Sequence, residues 1–368
     1  MTSVPDNERR ELVEDFGPGV PLEFPDFRGT KLVVDLFFER ELPRGLGDVT
    51  VLWIGEPDHS SHEFGIDDER TREARRDADR QFARVLEWWE TEGRDAGVQL
   101  VVMSDHGHGV VRRHFDMKGI LEKAGLRILM GREVLEGADT ASADAVLVGT
   151  YCAGLWFTNP ADLSLQLRAR DTLMASPDIG LLFSPSDPEQ PCSIEGRIPG
   201  TFSERLVFTD SRRSPDLRIV PRGDPETGGL VMAPELPLGA GNHGGLLPQE
   251  INAVLAVGGS AFPGSAVHDD PASHADLAVT IMTLEGLLSD SDMAKPTGRL
   301  LDEALPGGPV CRTPAGEAFD LTFGAFHQRI ERLSSGGRAY VTRAHRINND
   351  GWTPEHGLPE GARTDNND

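Results

Sequence analysis

The feature that most constrains this chain is the brevity of its apolar runs and the way helical patterns fall between them. Short runs occur at 49–55 (VTVLWIG), 98–103 (VQLVVM), 145–149, 180–184, 216–220 and 252–257. Each is too short for an ordinary buried helix and reads as a buried strand. Between them lie helical periodicities. In 68–91, Ala74, Ala78, Phe82, Val85, Leu86 and Trp89 recur at spacings of three and four and form one apolar stripe. Shorter helices are expected at 116–124, closed by Gly125, and at 162–175 and 275–288. Strands alternating with helices predict an α/β fold with a mostly parallel central sheet flanked by helices.

The rest of the chain is less regular. Residues 185–248 are rich in Pro and Gly. A structureless loop of that length is unusual in a compact domain, so a small cap or hairpin insertion is expected there. Residues 1–29 form a polar N-terminal segment, 30–305 the core, and 306–368 a C-terminal extension whose end, 346–368, reads as a polar tail.

Charge and cysteine content exclude several classes. With 60 acidic and 36 basic residues the net charge is −24. A nucleic-acid polymer needs a basic face, which this balance does not offer. A small anionic substrate in a cation-lined pocket remains compatible, because bound cations set the local field. Cys152, Cys192 and Cys311 are too few and too scattered for a disulfide framework or a cysteine zinc site. No run reaches the roughly 18 apolar residues of a membrane span. The first twenty residues lack the apolar stretch of a signal peptide, which predicts a cytoplasmic protein if residue 1 is the true start.

Three segments carry chemistry. Gly55-Glu56-Pro57-Asp58-His59-Ser60-Ser61-His62 follows the run 49–55. Ser104-Asp105-His106-Gly107-His108-Gly109 follows 98–103, and Gly241-Asn242-His243-Gly244-Gly245 precedes 252–257. The first two place Asp and His at the carboxyl ends of expected strands, where open α/β sheets bind ligands. Asp58 and His62 are four apart, so one helical turn aims both at one point. Asp105 and His106 are adjacent, and Gly107 and Gly109 permit the sharp bend that brings both to a metal. Carboxylate with imidazole suits zinc, with manganese or iron as alternatives. His59 and His108 read as neighbours of the ligands, Ser60 and Ser61 as bystanders. His114, His268, His274, His327, His345 and His356 have no ligand spacing.

Competing motifs fail. Gly239-Ala240-Gly241-Asn242-His243-Gly244 matches a dinucleotide fingerprint in form, but prolines on both sides deny it the strand and helix it needs. There is no phosphate-binding G-x-x-x-x-G-K-[ST] string and no G-x-S-x-G nucleophile turn.

Together the three segments resemble the alkaline phosphatase superfamily, within it the type I phosphodiesterase/nucleotide pyrophosphatase branch. Arg213-Ser214-Pro215-Asp216-Leu217, Asp276-Leu277-Ala278 and Gly298-Arg299-Leu300 add weaker agreement. The resemblance implies an alkaline-phosphatase-like fold and two divalent metals, zinc foremost. Asp58, His62 and His243 match the ligands of one metal, and Asp105 and His106 two ligands of the other. It implies a hydrolase of phosphate diesters or related small phosphoryl esters. Alternatives are a phosphonate or phosphomonoester hydrolase, or a catalytically silent metal-binding relative. It also implies a further Asp and a Thr or Ser nucleophile well ahead of Glu56. The nearest candidates are Asp26 and Thr30, and Thr30 reads as the N-cap of a helix from Lys31 to Arg40. The expectation is therefore a chain incomplete at its N-terminus, with no catalytic nucleophile assigned.

Overall fold

A computed structural model of the protein describes residues 6–288, 297–309, 312–347 and 351–353. Cys311, His356 and most of the expected polar tail lie outside the described residues. The chain divides into two compact units, with the boundary between Val98 and Gln99.

The first unit is helical. It contains α1 (Asp6–Phe16), α2 (Phe27–Leu36), α3 (Leu42–Arg44), α4 (Asp58–Phe64) and α5 (Glu69–Trp88). The apolar stripe of α5 does what its spacing predicts: Ala74 and Val85 are buried, and Val85 packs with Val34 and Phe37. Phe37 meets Trp88 edge to face at 5.3 Å. The helix of 31–40 begins earlier than expected. Asp26, not Thr30, is its cap, with Oδ1 accepting from the Gly29 N–H at 2.8 Å. A carboxylate is the stronger acceptor for the electropositive helix start. Thr30 is instead carried into α2 and is only 4% exposed.

The expected strand 49–55 is absent. No described residue of this unit is in a strand, so the segment has no ladder to join. Its alternation survives as sidedness: Leu52 and Ile54 pack on the helical core, while Val51 and Trp53 are 75% and 65% exposed.

The second unit holds all the described strands. In chain order they are β1 (Leu100–Met103), β2 (Gly109–His114), β3 (Ile128–Met130), β4 (Ala145–Val148), β5 (Ala153–Phe157), β6 (Ile179–Ser184) and β7 (Phe202–Ser203). Then come β8 (Leu217–Pro221), β9 (Gly229–Met232), β10 (Gly241–Asn242), β11 (Leu255–Gly258), β12 (Ala315–Phe323), β13 (Phe326–Ser335) and β14 (Arg338–Arg346). Its helices are α6 (Met117–Lys123), α7 (Gly131–Leu135), α8 (Leu163–Ala175), α9 (Pro248–Ile251) and α10 (His274–Leu284).

The largest sheet has the order β3-β4-β5-β8-β6-β7. The expectation of a mostly parallel sheet is not met. In this sheet β4·β5, β5·β8 and β6·β8 run antiparallel, against parallel β3·β4 and β6·β7. The reason lies in the connections. β4 returns to β5 through the tight turn 149–152, and so short a link can only join antiparallel neighbours. Gly149 makes it, with φ 103°, and a Cβ there would sit 2.9 Å from the Cys152 carbonyl oxygen.

Residues 185–248, read as a cap or hairpin insertion, supply core strands instead. β8 lies inside the six-stranded sheet, and β9 and β10 flank β2. These strands are only two to five residues long between Pro and Gly, below what periodicity resolves. The extension after 305 contains an antiparallel meander, β12-β13-β14. Ile330 and Ala344 of this meander close a second core with Phe183 and Phe202. Among the described residues, no helix is long and apolar enough to cross a membrane.

Candidate metal centre

In the first unit the segment 55–62 forms a turn running into α4. Buried Glu56 organises it. Its carboxylate accepts from the Ser60 N–H at 3.2 Å, the Ser60 hydroxyl at 2.9 Å and the Asp26 N–H at 2.7 Å. Thr71 of α5 ties the far side, donating to the carbonyls of Ser60 (3.0 Å) and Gly65 (2.7 Å). On this scaffold Asp58 and His62 fall one turn apart as expected, with His62 Nε2 3.3 Å from Asp58 Oδ1. His59 turns away toward Phe24, ring to ring at 6.1 Å.

In the second unit β1 runs into the loop Ser104–His108 and then β2. His106 Nε2 lies 3.2 Å from Asp105 Oδ2, and His106 Nδ1 lies 3.0 Å from the Gly107 carbonyl oxygen. The tautomer that donates from Nδ1 to this carbonyl leaves a lone pair on Nε2, facing a carboxylate oxygen. His106 Nε2 and the Asp105 carboxylate would together be suited to hold a divalent cation.

His243 arrives through the sheet. β10 pairs antiparallel with β2, Gly241 opposite Val110 and Asn242 opposite Gly109. The next step of that register sets His243 beside His108. His243 stacks on His106 with ring centroids 3.4 Å apart and planes at 13°. His108 stands edge-on to both, at 5.2 Å from each. His106, His108 and His243 each offer a ring nitrogen within 4.8 Å of the others'. Three convergent imidazoles with an adjacent carboxylate are a donor set that fits a divalent transition metal.

Thus Asp58 meets His62 in the first unit; in the second, Asp105 meets His106, and His106 meets His243. His108, read from sequence as a neighbour, stands as close to His243 as to His106. The signal for it was the register of β2 against β10, which spacing along one strand does not contain.

Glu250 was also missed. It lies in α9 and is buried, and its carboxylate accepts from Gly245 N–H (2.7 Å), Leu247 N–H (3.2 Å) and the Tyr151 hydroxyl (3.2 Å). Burial raises its pKa to about 7, against partial relief from these bonds. Burial also pushes the Tyr151 hydroxyl and the Cys152 thiol up. Pro248 at the helix start with Glu250 two residues on is the sequence signal that marks it.

The wider comparison agrees with this chemistry. No curated protein and no solved structure matches the chain. The family model for type I phosphodiesterase/nucleotide pyrophosphatase matches residues 5–224. That span contains both the Glu56–His62 and the Ser104–His108 segments, and stops short of His243. Well over half of the chain falls within the match, so the protein belongs to the type I phosphodiesterase/nucleotide pyrophosphatase family of the alkaline phosphatase superfamily.

Proposed function

We propose that the protein is a metal-dependent hydrolase of small phosphate diesters. Asp58 and His62 of the first unit, and Asp105, His106 and His243 of the second, would be ligands of divalent cations, as the family's ligand pattern implies. The observation that supports this most is the gathering of His106, His108 and His243, with Asp105 against His106, in a chain of this family. Zinc suits so imidazole-rich a donor set, with manganese and iron as alternatives. Bound there, divalent cations supply Lewis acidity toward phosphoryl oxygens. The chain's own residues place those cations: the Gly107 carbonyl fixes the His106 tautomer, and the β2–β10 register fixes His243. A net charge of −24 repels anions at long range, so the attraction for a phosphate ester has to be local. A small diester, nucleotide-like or lipid-like, or a phosphonate fits this reading, and a nucleic-acid polymer does not.

One observation favours a second reading. Thr30, the nearest candidate along the sequence for the family's nucleophile, is buried inside α2. A metal-binding relative without turnover is consistent with that.

The test is metal analysis joined to an assay. The protein is stripped with a chelator, reloaded with zinc, and assayed on bis(4-nitrophenyl) phosphate, 4-nitrophenyl phosphate and a phosphonate monoester. The expected result is stoichiometric zinc, the fastest turnover on the diester, and a sharp loss of both in His243→Ala, because affinity follows ligand count. Zinc without turnover on any of the three selects the silent reading. Wild-type protein that takes up no divalent metal, or His243→Ala with full occupancy, overturns both.

A further inference from the structure

The two histidine-bearing loops of the second unit are both fastened to one residue. Glu250 is 1% exposed. Its carboxylate holds the N–H of Gly245, two residues beyond His243, at 2.7 Å. Its main-chain carbonyl accepts from Gly107 N–H, between His106 and His108, also at 2.7 Å. The approach is tight on both sides. A Cβ on Gly245 would lie 2.6 Å from Glu250 Oε2 and 2.6 Å from the Tyr151 hydroxyl, and one on Gly107 would collide with the Gln249 carbonyl. Both loops are therefore pressed onto α9 at glycines, where the main chain can come closest.

Helix capping alone does not account for this arrangement. A cap at α9 needs only the bond to Leu247 N–H, and an exposed glutamate can make it. Here the carboxylate is buried, which is costly unless the group is well bonded. It takes a second donor from the His243 loop and a third from Tyr151.

We propose that Glu250 is a positioning residue of the metal centre: its carboxylate fixes the loop of His243 at the distance from His106 and His108 that keeps the three imidazoles gathered there. The inference rests on the reading of these histidines as metal ligands. The Gly107 bond is made by the main chain and survives substitution, so a change at Glu250 releases the His243 side alone.

Glu250→Gln tests it. The amide keeps one acceptor oxygen but turns an NH2 toward a donor, so at least one of the three bonds is lost. Full-length wild type, Glu250→Gln, Glu250→Ala and His243→Ala are titrated with zinc against a chromogenic chelator. Each is also loaded with cobalt and its visible absorption recorded, since those bands report ligand geometry rather than stability. Thermal unfolding of the metal-free proteins identifies any variant that does not fold. Loss of a group that supports a ligand costs about 10–100-fold in metal affinity. Glu250→Gln is expected near the lower figure with shifted cobalt bands, and Glu250→Ala near the higher. Should Glu250→Ala fail to fold, Glu250→Gln decides alone. Wild-type affinity and an unchanged cobalt spectrum in Glu250→Gln overturn the inference, while zinc lost in His243→Ala leaves the functional reading standing. If His243→Ala binds like wild type, the functional reading itself has failed.

Discussion

The two regions that carry metal-ligand candidates are built in different ways. Asp58 and His62 sit on one helix, and the pitch of α4 brings them within 3.3 Å. Their support is almost as local: Glu56 two residues before Asp58, and Thr71 from the next helix. His106, His108 and His243 owe their convergence to a strand pairing and a short helix that join distant parts of the chain. The first region depends on a helical turn and its ends, and the second on the packing of a sheet. The lesson is that metal-ligand candidates of one chain can differ widely in how far their geometry depends on the rest of the fold.

Weakening the sheet is the strongest way to break this contrast. Leu230 of β9 is fully buried, and it fills the space where a Cβ on Gly109 would lie, 2.6 Å from its Cγ. Leu230→Ala leaves a cavity directly behind the loop of His108. A loss of about 2–5 kcal/mol is expected by urea unfolding, with zinc affinity falling alongside. A variant that loses stability yet binds zinc as tightly as wild type would show that the trio does not depend on the sheet.

A pH titration sharpens the same point. Burial holds the Glu250 carboxyl at about 7, against an ordinary value of 4.5. The folded protein thus binds this proton more tightly than the unfolded chain. Its contribution to stability is complete below the unfolded value and is lost as pH rises through about 7. Each tenfold difference in proton affinity is worth about 1.4 kcal/mol, so the whole effect is at most roughly 3 kcal/mol. Glutamine mimics the protonated form, so metal-free Glu250→Gln should gain stability relative to wild type between pH 5 and pH 8. A difference that stays flat across that range would mean the carboxyl titrates normally, and that the region is wetter than its burial indicates.

The smallest effect is expected in the helical region. Thr71→Val removes the hydroxyl that ties α5 to the carbonyls of Ser60 and Gly65. A loss of about 1 kcal/mol follows from the net worth of such bonds. Because the Asp58–His62 spacing belongs to α4 itself, cobalt bands and zinc affinity should change little. A large spectral change would place this region, too, under tertiary control.

Several elements were legible from the residues. The apolar stripe of α5, the Asp116-capped helix before Gly125 and the short apolar runs that became β1, β4, β6, β8 and β11 are all signals that one chain segment carries by itself. Other elements were not. The run 49–55 has strand composition, yet a strand exists only where a neighbour completes its ladder, and the described residues of the first unit supply none. The meander β12-β13-β14 alternates only weakly in burial, most of all along exposed β12, so its pattern is faint in sequence.

The site divides along the same line. Residue type and spacing along the chain determined which Asp and His residues carry the chemistry, because a four-residue step or an adjacent pair is a local quantity. Those same strings also pointed to the family. Sheet direction, the place of His108 beside His243 and the burial of Glu250 beneath their loops were decided by tertiary structure alone. Each depends on which segments become neighbours and in what register, and a one-residue shift of β10 against β2 would carry His243 out of line with His108.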